Sequence, residues 1–234
     1  RERTPLGHAH RDHIRDLSIA EIREMYRQAV NRLLSEVAET EEFFRAGIVA
    51  IDITEADPFT GDRTGHEDEI IGTKEKTDEY AYQWATVQLV GNAVPIVLDA
   101  RPVRKGESRL EIVKDLLDSA EEMVHVDNVL MDREFDSQHV LEMLSQRGLS
   151  YVVPKRMQTS EKAQAKRLLR RDQDRYETDR KLHLGKNEWH ETTLIYRRKE
   201  DSEHDDHRQY SVFMTNCGSG HLTEYGYRWE IESG

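Results

Sequence analysis

The sequence predicts an α/β fold in which a mixed β-sheet is flanked by helices. Short β-branched runs such as residues 47–54 (GIVAIDIT) alternate with amphipathic stretches such as residues 107–124. Two further apolar runs, 81–90 and 95–103, are separated by a Gly-Asn pair, which predicts an antiparallel hairpin. A chain of 234 residues with 36% hydrophobic residues can bury one core of this kind and also carry an insertion.

The N-terminal part is predicted to be a polar tail followed by one helix. Residues 1–15 are polar and rich in histidine, which is typical of a tail or linker. Ser18 followed by Glu21 is the pattern of a helix N-cap, and apolar residues recur at helical spacing over 19–37. We expect this helix to pack on the core. The charged stretch 57–78 contains two glycines and predicts an exposed loop.

Four elements are predicted after the hairpin, in the order helix, strand, helix, strand. They are the helix 107–124, the strand 126–132, the helix 137–147 and the strand 149–154. Because strand-helix-strand crossovers are right-handed and give parallel neighbours, the first, fourth and fifth strands are predicted to lie side by side. This is the strand order of a ribonuclease H-like fold with a five-stranded mixed sheet.

The C-terminal part predicts a β-rich insertion between the fifth strand and a last helix. Residues 192–197 and 209–215 have the pattern of strands. The chain starts at Arg1 rather than at Met, so we expect it to be a fragment of a longer protein. The predicted division is a tail and helix over 1–45, a first part of the catalytic core over 46–157, an insertion over 158–221 and a truncated C-terminal helix over 222–234.

The charge balance argues against a uniformly basic nucleic-acid-binding surface. Forty-six acids against 34 bases give a formal charge of -12, so any phosphate-binding surface has to be local. The bases comprise 24 Arg and 10 Lys, and a composition rich in acids and poor in lysine is what we expect of a protein from a halophile, such as a haloarchaeon. Because no run approaches the ~20 apolar residues that span a bilayer, we expect a cytoplasmic protein with no membrane partner.

Two aspartates end short apolar runs, Asp52 in the first predicted strand and Asp132 at the close of the fourth. If these strands are neighbours, the two carboxylates meet at one edge of the sheet. The ordinary alternative is an aspartate that caps a helix or a turn. We expect Asp136 to cap the following helix, which leaves Asp132 without a capping role. The lone Cys217 excludes an internal disulfide and a cysteine-based zinc cluster.

A third acid, Glu232, stands in the motif Tyr225-x2-Arg228-x3-Glu232. At about 100° per residue, these three side chains fall within roughly 60° of one another on an α-helix. Three converging carboxylates would repel one another and raise their pKa values, whereas a pair of Mg²⁺ ions removes that cost. The pattern therefore indicates a metal-dependent enzyme that cuts DNA.

These motifs resemble the DDE transposases of bacterial and archaeal insertion sequences, in the branch with a Tyr-x2-Arg-x3-Glu-x6-Lys signature. The matching segments are AIDIT around Asp52, LMDREFDS around Asp132 and YGYRWEIES around Glu232, and the similarity covers about residues 46–234. Two features depart from the family pattern. Glu134 stands where the family commonly has glycine, and the signature lysine would lie beyond the last residue of this chain.

The resemblance implies that Asp52, Asp132 and Glu232 are catalytic and hold two Mg²⁺ ions, for which Mn²⁺ can substitute. Such a mobile-element enzyme cuts double-stranded DNA at transposon ends and joins it to target DNA, and Tyr225 and Arg228 contact phosphates beside the cut. By analogy we expect a homodimer on DNA and an association with the nucleoid. A nuclease of the same fold that does not join strands, and an inactive DNA-binding relic, remain as alternatives.

Further DNA contacts are predicted in a basic helix and at one tryptophan. Residues 155–171 have a local charge of +6, which indicates either a DNA-contacting helix or a solvated face. The seven bases are Lys155, Arg156, Lys162, Lys166, Arg167, Arg170 and Arg171, against Glu161. Trp189 could stack on an unpaired base, although a partly buried structural tryptophan is the alternative.

Overall fold

A computed structural model describes residues 16–37, 47–56, 58–73, 79–92, 94–185, 188–200 and 202–231. The predicted tail 1–15 and the predicted ligand Glu232 lie outside these ranges. The predicted α/β class is confirmed, because a mixed parallel and antiparallel sheet is flanked by helices. Within the described ranges, no helix is both long and apolar enough to cross a membrane.

The elements follow one another along the chain much as predicted. The strands are β1 Ile48–Glu55, β2 Ile70–Gly72, β3 Tyr80–Leu89, β4 Ile96–Pro102, β5 Asn128–Met131, β6 Ser150–Pro154, β7 Arg175–Gly185, β8 Glu188–Arg198 and β9 Tyr210–Thr215. The α-helices are α1 Ile19–Val37, α2 Arg109–Glu121, α3 Gln138–Gln146 and α4 Thr159–Arg170. The 3-10 helices are Arg133–Phe135, His207–Gln209, Ser219–Leu222 and Glu224–Ile231.

The centre of the sheet has the predicted strand order. β1 pairs in parallel with β5, and β5 pairs in parallel with β6, which confirms that the first, fourth and fifth predicted strands are neighbours. β3 pairs antiparallel with β1 on one side and with β4 on the other. The predicted hairpin of β3 and β4 is therefore confirmed. Gly91 in its turn has a φ of 75°, a conformation that glycine adopts without steric cost.

The sheet is wider than the five predicted strands. The segments 192–197 and 209–215 do form strands, but β9 pairs antiparallel with β6, so that β9, β8 and β7 extend the same sheet. Neither β7 nor the short β2 was predicted. β7 (RYETDRKLHLG) lacks an apolar run because most of its residues are exposed, and it is held by its long pairing with β8. β2 has three residues, too few for a periodic pattern.

The two faces of the central sheet are covered by different elements. Alternate strand residues such as Val49, Ile51 and Val129 pack under α2 and α3 in the larger cluster of buried residues, and we call this side the helical face. The intervening residues, such as Ala50 and Leu130, form a smaller cluster with Leu222. Residues 219–231, which we call the 3-10 segment, cover that opposite side.

The N-terminal helix α1 begins as predicted. The Ser18 hydroxyl accepts a hydrogen bond from the Glu21 amide at 3.2 Å, and the Glu21 carboxylate accepts one from the Ser18 amide at 2.8 Å. Val30 and Leu34 are the buried residues of this helix, which confirms that it packs on the core. Its side toward β4 is fixed by the ion pair of Arg23 with the fully buried Asp99, at 2.5 Å.

Candidate active site

Asp52 and Asp132 lie side by side on the smaller-cluster face of the sheet. Ile51 and Met131 are paired across the parallel strands β1 and β5, and each aspartate is the next residue in its strand direction. Neighbouring strands are about 4.8 Å apart, so the fold brings two carboxylates together from residues that are far apart in sequence. Asp52 follows Ile48 and Ala50 in the alternation of β1, which places it on this face, the acid face.

The backbone around Asp132 differs from the prediction in one respect. Asp132 is the N-cap of the 3-10 helix Arg133–Phe135, and its Oδ1 accepts a hydrogen bond from the Arg133 amide at 2.6 Å. The prediction that capping does not involve Asp132 is therefore wrong. Asp136 does not cap α3, whose N-cap is Ser137, because its carboxylate accepts hydrogen bonds from the Lys155 ammonium at 3.2 and 3.3 Å. Capping occupies Oδ1 of Asp132, and its side chain still lines a surface cleft.

The 3-10 segment positions Tyr225 and Arg228 above the two aspartates. The prediction of an α-helix here is wrong, because Glu224–Ile231 is a 3-10 helix. Gly226 lies inside it, and glycine is a poor α-helix former. A 3-10 helix has three residues per turn, so Tyr225 and Arg228 still lie on the same side. Tyr225 and Arg228 thus point to the same side, as predicted, although the helix that carries them is a 3-10 helix and not an α-helix.

Arg228 places a buried cation beside Asp52. Its Nη1 lies 3.9 Å from Oδ1 of Asp52, and only 6% of the residue is exposed. The Arg228 guanidinium carbon also lies 5.8 Å from the centre of the Tyr225 ring. A buried guanidinium at this place offsets part of the negative charge of the acid pair and presents a fork of donors suited to phosphate.

Tyr225 is packed edge-on against Phe213 of β9, with ring centres 5.1 Å apart. Burial raises the pKa of Tyr225 to about 12; Arg228 opposes this rise, whereas Asp132 and Asp52 add to it. The phenol therefore stays protonated at neutral pH. It can donate a hydrogen bond to an anion but cannot act as a general base there.

Polar contacts hold the 3-10 segment on the acid face. The Asn128 side-chain amide in β5 donates a hydrogen bond to Glu224 Oε2 at 2.7 Å, and the same oxygen lies 2.9 Å from Nδ1 of His221. Leu222 is buried beside them in the smaller cluster. The position of Tyr225 and Arg228 is thus determined by contacts that the sequence pattern does not reveal.

A cleft of about 940 Å³ opens beside Asp132. Its lining comes from the residues directly after β5, the end of β6 and the loop after it, α4, the loop before β9, β9 itself and the 3-10 segment. The basic side chains in it are Arg133, Lys155, Arg156, Lys162, Lys199, Arg208 and Arg228, together with His204 and His207. Three of these cations, Arg133, Lys199 and Arg208, are absent from the sequence-based prediction. The charged loop 202–209 is the signal that could have indicated Arg208.

Besides Arg228, the cleft cations Lys155 and Arg208 are engaged by carboxylates. Lys155 is only 10% exposed and pairs with Asp136, so its charge is largely compensated. Arg208 pairs with Asp206 at 2.9 Å, and its hydrogen bonds lower the pKa of Asp206 to about 2. Arg156 and Lys162 are exposed in the same cleft. The positive surface beside the acids is therefore smaller than the number of bases suggests.

Helix α4 presents its predicted basic residues to solvent. Lys162, Lys166 and Arg170 follow one another at intervals of four, and the buried positions Glu161 and Ala165 occupy the other side. Lys162 lines the cleft. Lys166, Arg167, Arg170 and Arg171 are exposed but do not line it. The structure thus continues the basic surface along α4, away from the acids.

Trp189 lies apart from the acids, at the tip of the hairpin of β7 and β8. It is 56% exposed and packs edge-on against His183 with ring centres 4.8 Å apart. It is not part of the cleft lining. A role in the active site is therefore not supported by its position.

The acid pair has the right chemistry for a hard divalent cation. Carboxylate oxygens are the ligands that Mg²⁺ and Mn²⁺ prefer, and two carboxylates side by side are stabilised by such an ion. Among the residues that the structure describes, no cluster of three or more His, Cys, Asp or Glu residues suitable for a metal occurs. The predicted third ligand, Glu232, lies outside the described residues.

Comparisons with known proteins do not assign a family. No protein-family model matches the chain. A search of curated proteins also found no significant match.

Proposed function

We propose that this chain is the catalytic core of a DDE-type DNA transposase. The observation that carries the proposal is the acid pair: Asp52 and Asp132 occupy adjacent positions on parallel strands, and Arg228 lies 3.9 Å from Asp52. Two hard-oxygen ligands with a buried arginine beside a basic cleft suit the binding of a phosphodiester. The sequence resemblance supplies the class of reaction.

The topology supports the ribonuclease H-like part of the proposal. The strands β4, β3, β1, β5 and β6 are consecutive neighbours, with antiparallel pairs up to β1 and parallel pairs from β1 to β6. Ligands of open α/β sheets bind at the carboxyl ends of parallel strands. Asp132 directly follows β5, and Asp52 is three residues before the end of β1.

Each residue has a defined role in this mechanism. Asp52 and Asp132, with Glu232, would hold the two Mg²⁺ or Mn²⁺ ions, which when bound lower the pKa of the attacking hydroxyl and stabilise the leaving oxygen. Arg228 orients the phosphate by its paired N–H donors. Tyr225, which stays neutral at the working pH, donates its hydroxyl proton in a hydrogen bond and removes no proton.

The substrate in this proposal is double-stranded DNA. The cleft beside Asp132 would hold phosphates of the flanking duplex through Arg156, Lys162 and Lys199. A homodimer on DNA and an association with the nucleoid belong to the same proposal, because two transposon ends must be joined to one target.

The direct test combines metal binding with DNA chemistry. Asp52→Asn and Asp132→Asn should each lower Mn²⁺ affinity by about tenfold or more, measured by electron paramagnetic resonance of free Mn²⁺. Each should also lower Mn²⁺-dependent nicking of plasmid DNA by at least about 10³-fold, while binding of a DNA duplex is nearly retained. Glu188→Gln, an exposed acid on the outer hairpin, is the matched control and should leave both quantities unchanged.

Joining of a pre-cleaved DNA end to a plasmid separates the transposase from a nuclease. Covalent joining that depends on both aspartates supports the proposal, whereas nicking without any joined product would identify a nuclease. If DNA binds but Mn²⁺ has no effect on either reaction, the chain is an inactive relic. Unchanged Mn²⁺ affinity in both aspartate variants would remove the acid pair from the site.

A further inference from the structure

The acid face carries an aromatic surface that the proposed mechanism does not use. Alternate residues of β3 point to the same side as Asp52, because Asp52 is paired directly with Thr86 across the strands. Two residues before Thr86 on that side is Trp84, which is 41% exposed, and two before that is Tyr82, which is 36% exposed. We call Trp84 and Tyr82 the aromatic strip.

The aromatic strip is adjacent to the acid pair. Trp84 is paired with Thr54, so it is the diagonal neighbour of Asp52 on the adjacent strand. Diagonal neighbours of this kind are about 7–8 Å apart. This distance corresponds to about two stacked nucleotides at roughly 3.4 Å each. A DNA strand whose phosphate lies at Asp52 would bring its next bases over Trp84.

A loop limits the aromatic strip at its outer end. Phe59 packs edge-on against Tyr82, with ring centres 6.1 Å apart. The Arg63 guanidinium carbon lies 3.3 Å from the centre of the Tyr80 ring, the next residue on this face of β3. The loop covers Tyr80 and leaves Tyr82 and Trp84 open between itself and Asp52.

The charges on the two sides of the acid pair are opposite. The cleft beyond Asp132 is basic, as described above, and suits phosphates. The loop beyond the aromatic strip is acidic: its described residues include Asp62, Glu67, Asp68 and Glu69 against Arg63. This acidic loop repels phosphates. A DNA strand that continues past Asp52 should therefore turn its bases, and not its phosphates, toward the protein.

We infer that Trp84 and Tyr82 form a stacking platform for unpaired nucleobases of the DNA strand whose phosphate is bound at Asp52 and Asp132. This inference rests on the proposed function and adds to it that the DNA is locally unpaired on the β3 side of the cut. Aromatic side chains bind bases of any sequence because every base has a π-face.

Two single-stranded probes with the same phosphates test the inference. The first is an oligothymidine of about 12 nucleotides, and the second is an abasic strand of the same length, both bound in Ca²⁺ to prevent cutting. Trp84→Thr, which keeps a strand-forming residue, should weaken oligothymidine binding by about 5- to 100-fold and leave abasic binding unchanged. Trp84→Phe should recover most of the affinity.

A control and a second readout keep the test independent of folding. Met25→Ala removes a side chain on α1 that is 56% exposed and should change neither affinity. Oligothymidine should also quench tryptophan fluorescence of the wild-type chain, and the quenching should be largely lost in Trp84→Phe, which keeps an aromatic ring at this position but no indole. Melting temperatures of all variants establish that each is folded.

The outcomes separate this inference from the proposed function. If the wild-type chain binds duplex DNA but binds oligothymidine and the abasic strand equally, the stacking platform is refuted and the proposed function stands. The same holds if Trp84→Thr leaves the preference for oligothymidine unchanged. If the chain binds none of the three nucleic acids, the proposed function fails, and the inference fails with it.

Discussion

The helical face and the acid face use alternate residues of the same strands for different purposes. On the helical face, the buried residues form one large apolar cluster under α2 and α3. On the acid face, the described buried apolar residues form a cluster of seven. Asp52 lies on this face within β1, Asp132 directly follows β5, and the cover is a 3-10 segment with polar anchors. The comparison indicates that the helical face contributes most of the folding stability. The acid face buries fewer apolar side chains and leaves functional carboxylates partly exposed.

Charged groups show the same contrast. On α1, Arg23 compensates the fully buried Asp99 at 2.5 Å, a contact closed to any ligand. On the acid face, the Asp52 side chain is 18% exposed and its Oδ1 lies 3.9 Å from Nη1 of Arg228. The Asp52 carboxylate is thus partly exposed to solvent, whereas Asp99 is fully buried.

The largest expected effect distinguishes the two faces by stability. Leu116→Ala in α2 removes a fully buried side chain from the large cluster and should cost about 3–5 kcal/mol of unfolding free energy, because the rigid surroundings cannot fill the cavity. Leu130→Ala on the acid face should cost about 2–3 kcal/mol, because the 3-10 segment can settle onto the sheet. Urea denaturation measures both. Equal costs would contradict the proposed difference between the faces.

A smaller effect is expected from Arg228, and it should fall mainly on activity. Arg228→Gln removes the guanidinium beside Asp52 and should lower DNA cleavage by about 10²-fold, the loss typical of a single donor to a reacting anion. Arg228→Lys keeps the charge but loses the paired donors, so it should recover only part of the rate. Steady-state cleavage assays give both values. A full rate in Arg228→Gln would exclude a role at the phosphate.

The basic surface of α4 should affect DNA binding more weakly. Reversing Lys166 and Arg170 together should weaken duplex affinity by about tenfold and reduce the slope of log affinity against log salt by about 1 to 2, since fewer counterions are released. The matched control is a reversal at Arg32 on α1, which is 85% exposed and remote from the cleft in sequence. Fluorescence anisotropy over a salt series is the measurement. If the slope does not change, α4 is a solvated face.

The smallest effect concerns alkaline pH. Burial raises the pKa of Tyr225 to about 12, so between pH 10 and 12 the unfolded chain has lost this proton and the folded chain keeps it. The stabilisation is complete below about pH 10 and disappears as the pH rises toward 12. Tyr225→Phe should therefore reduce the fall in unfolding free energy over this range. Tyr151 and Tyr196, whose pKa values burial also raises to about 12, remain in the variant as an internal reference.

The parts of the fold that follow from local patterns were predictable. Ser18 with Glu21 indicated a helix start, and the Gly-Asn pair indicated the turn between β3 and β4, because caps and turns depend on a few adjacent residues. The parallel neighbours β1 and β5 followed from the handedness of crossovers. These rules act at short range or on chain topology, so no knowledge of packing is needed.

The features that depend on distant partners were not predictable. β7 is a strand because β8 supplies hydrogen bonds to its backbone, although its own residues are polar. Asp136 pairs with Lys155 and does not cap α3, since a cation from the next strand end competes for its carboxylate. The 3-10 geometry around Gly226 is another such case, because Asn128 and the sheet fix the position of the segment.

The sequence by itself determined the α/β class, the order of the central strands and the pairing of Asp52 with Asp132 at one level of the sheet, since periodicity and crossover handedness are properties of the chain alone. Tertiary structure decided which cations surround the acids, and that Trp84 is left open beside them. Side chains from residues 133 to 228 meet there only through packing. The distances between these side chains, and the extent to which their charges compensate one another, depend on the whole fold. No local sequence pattern encodes them.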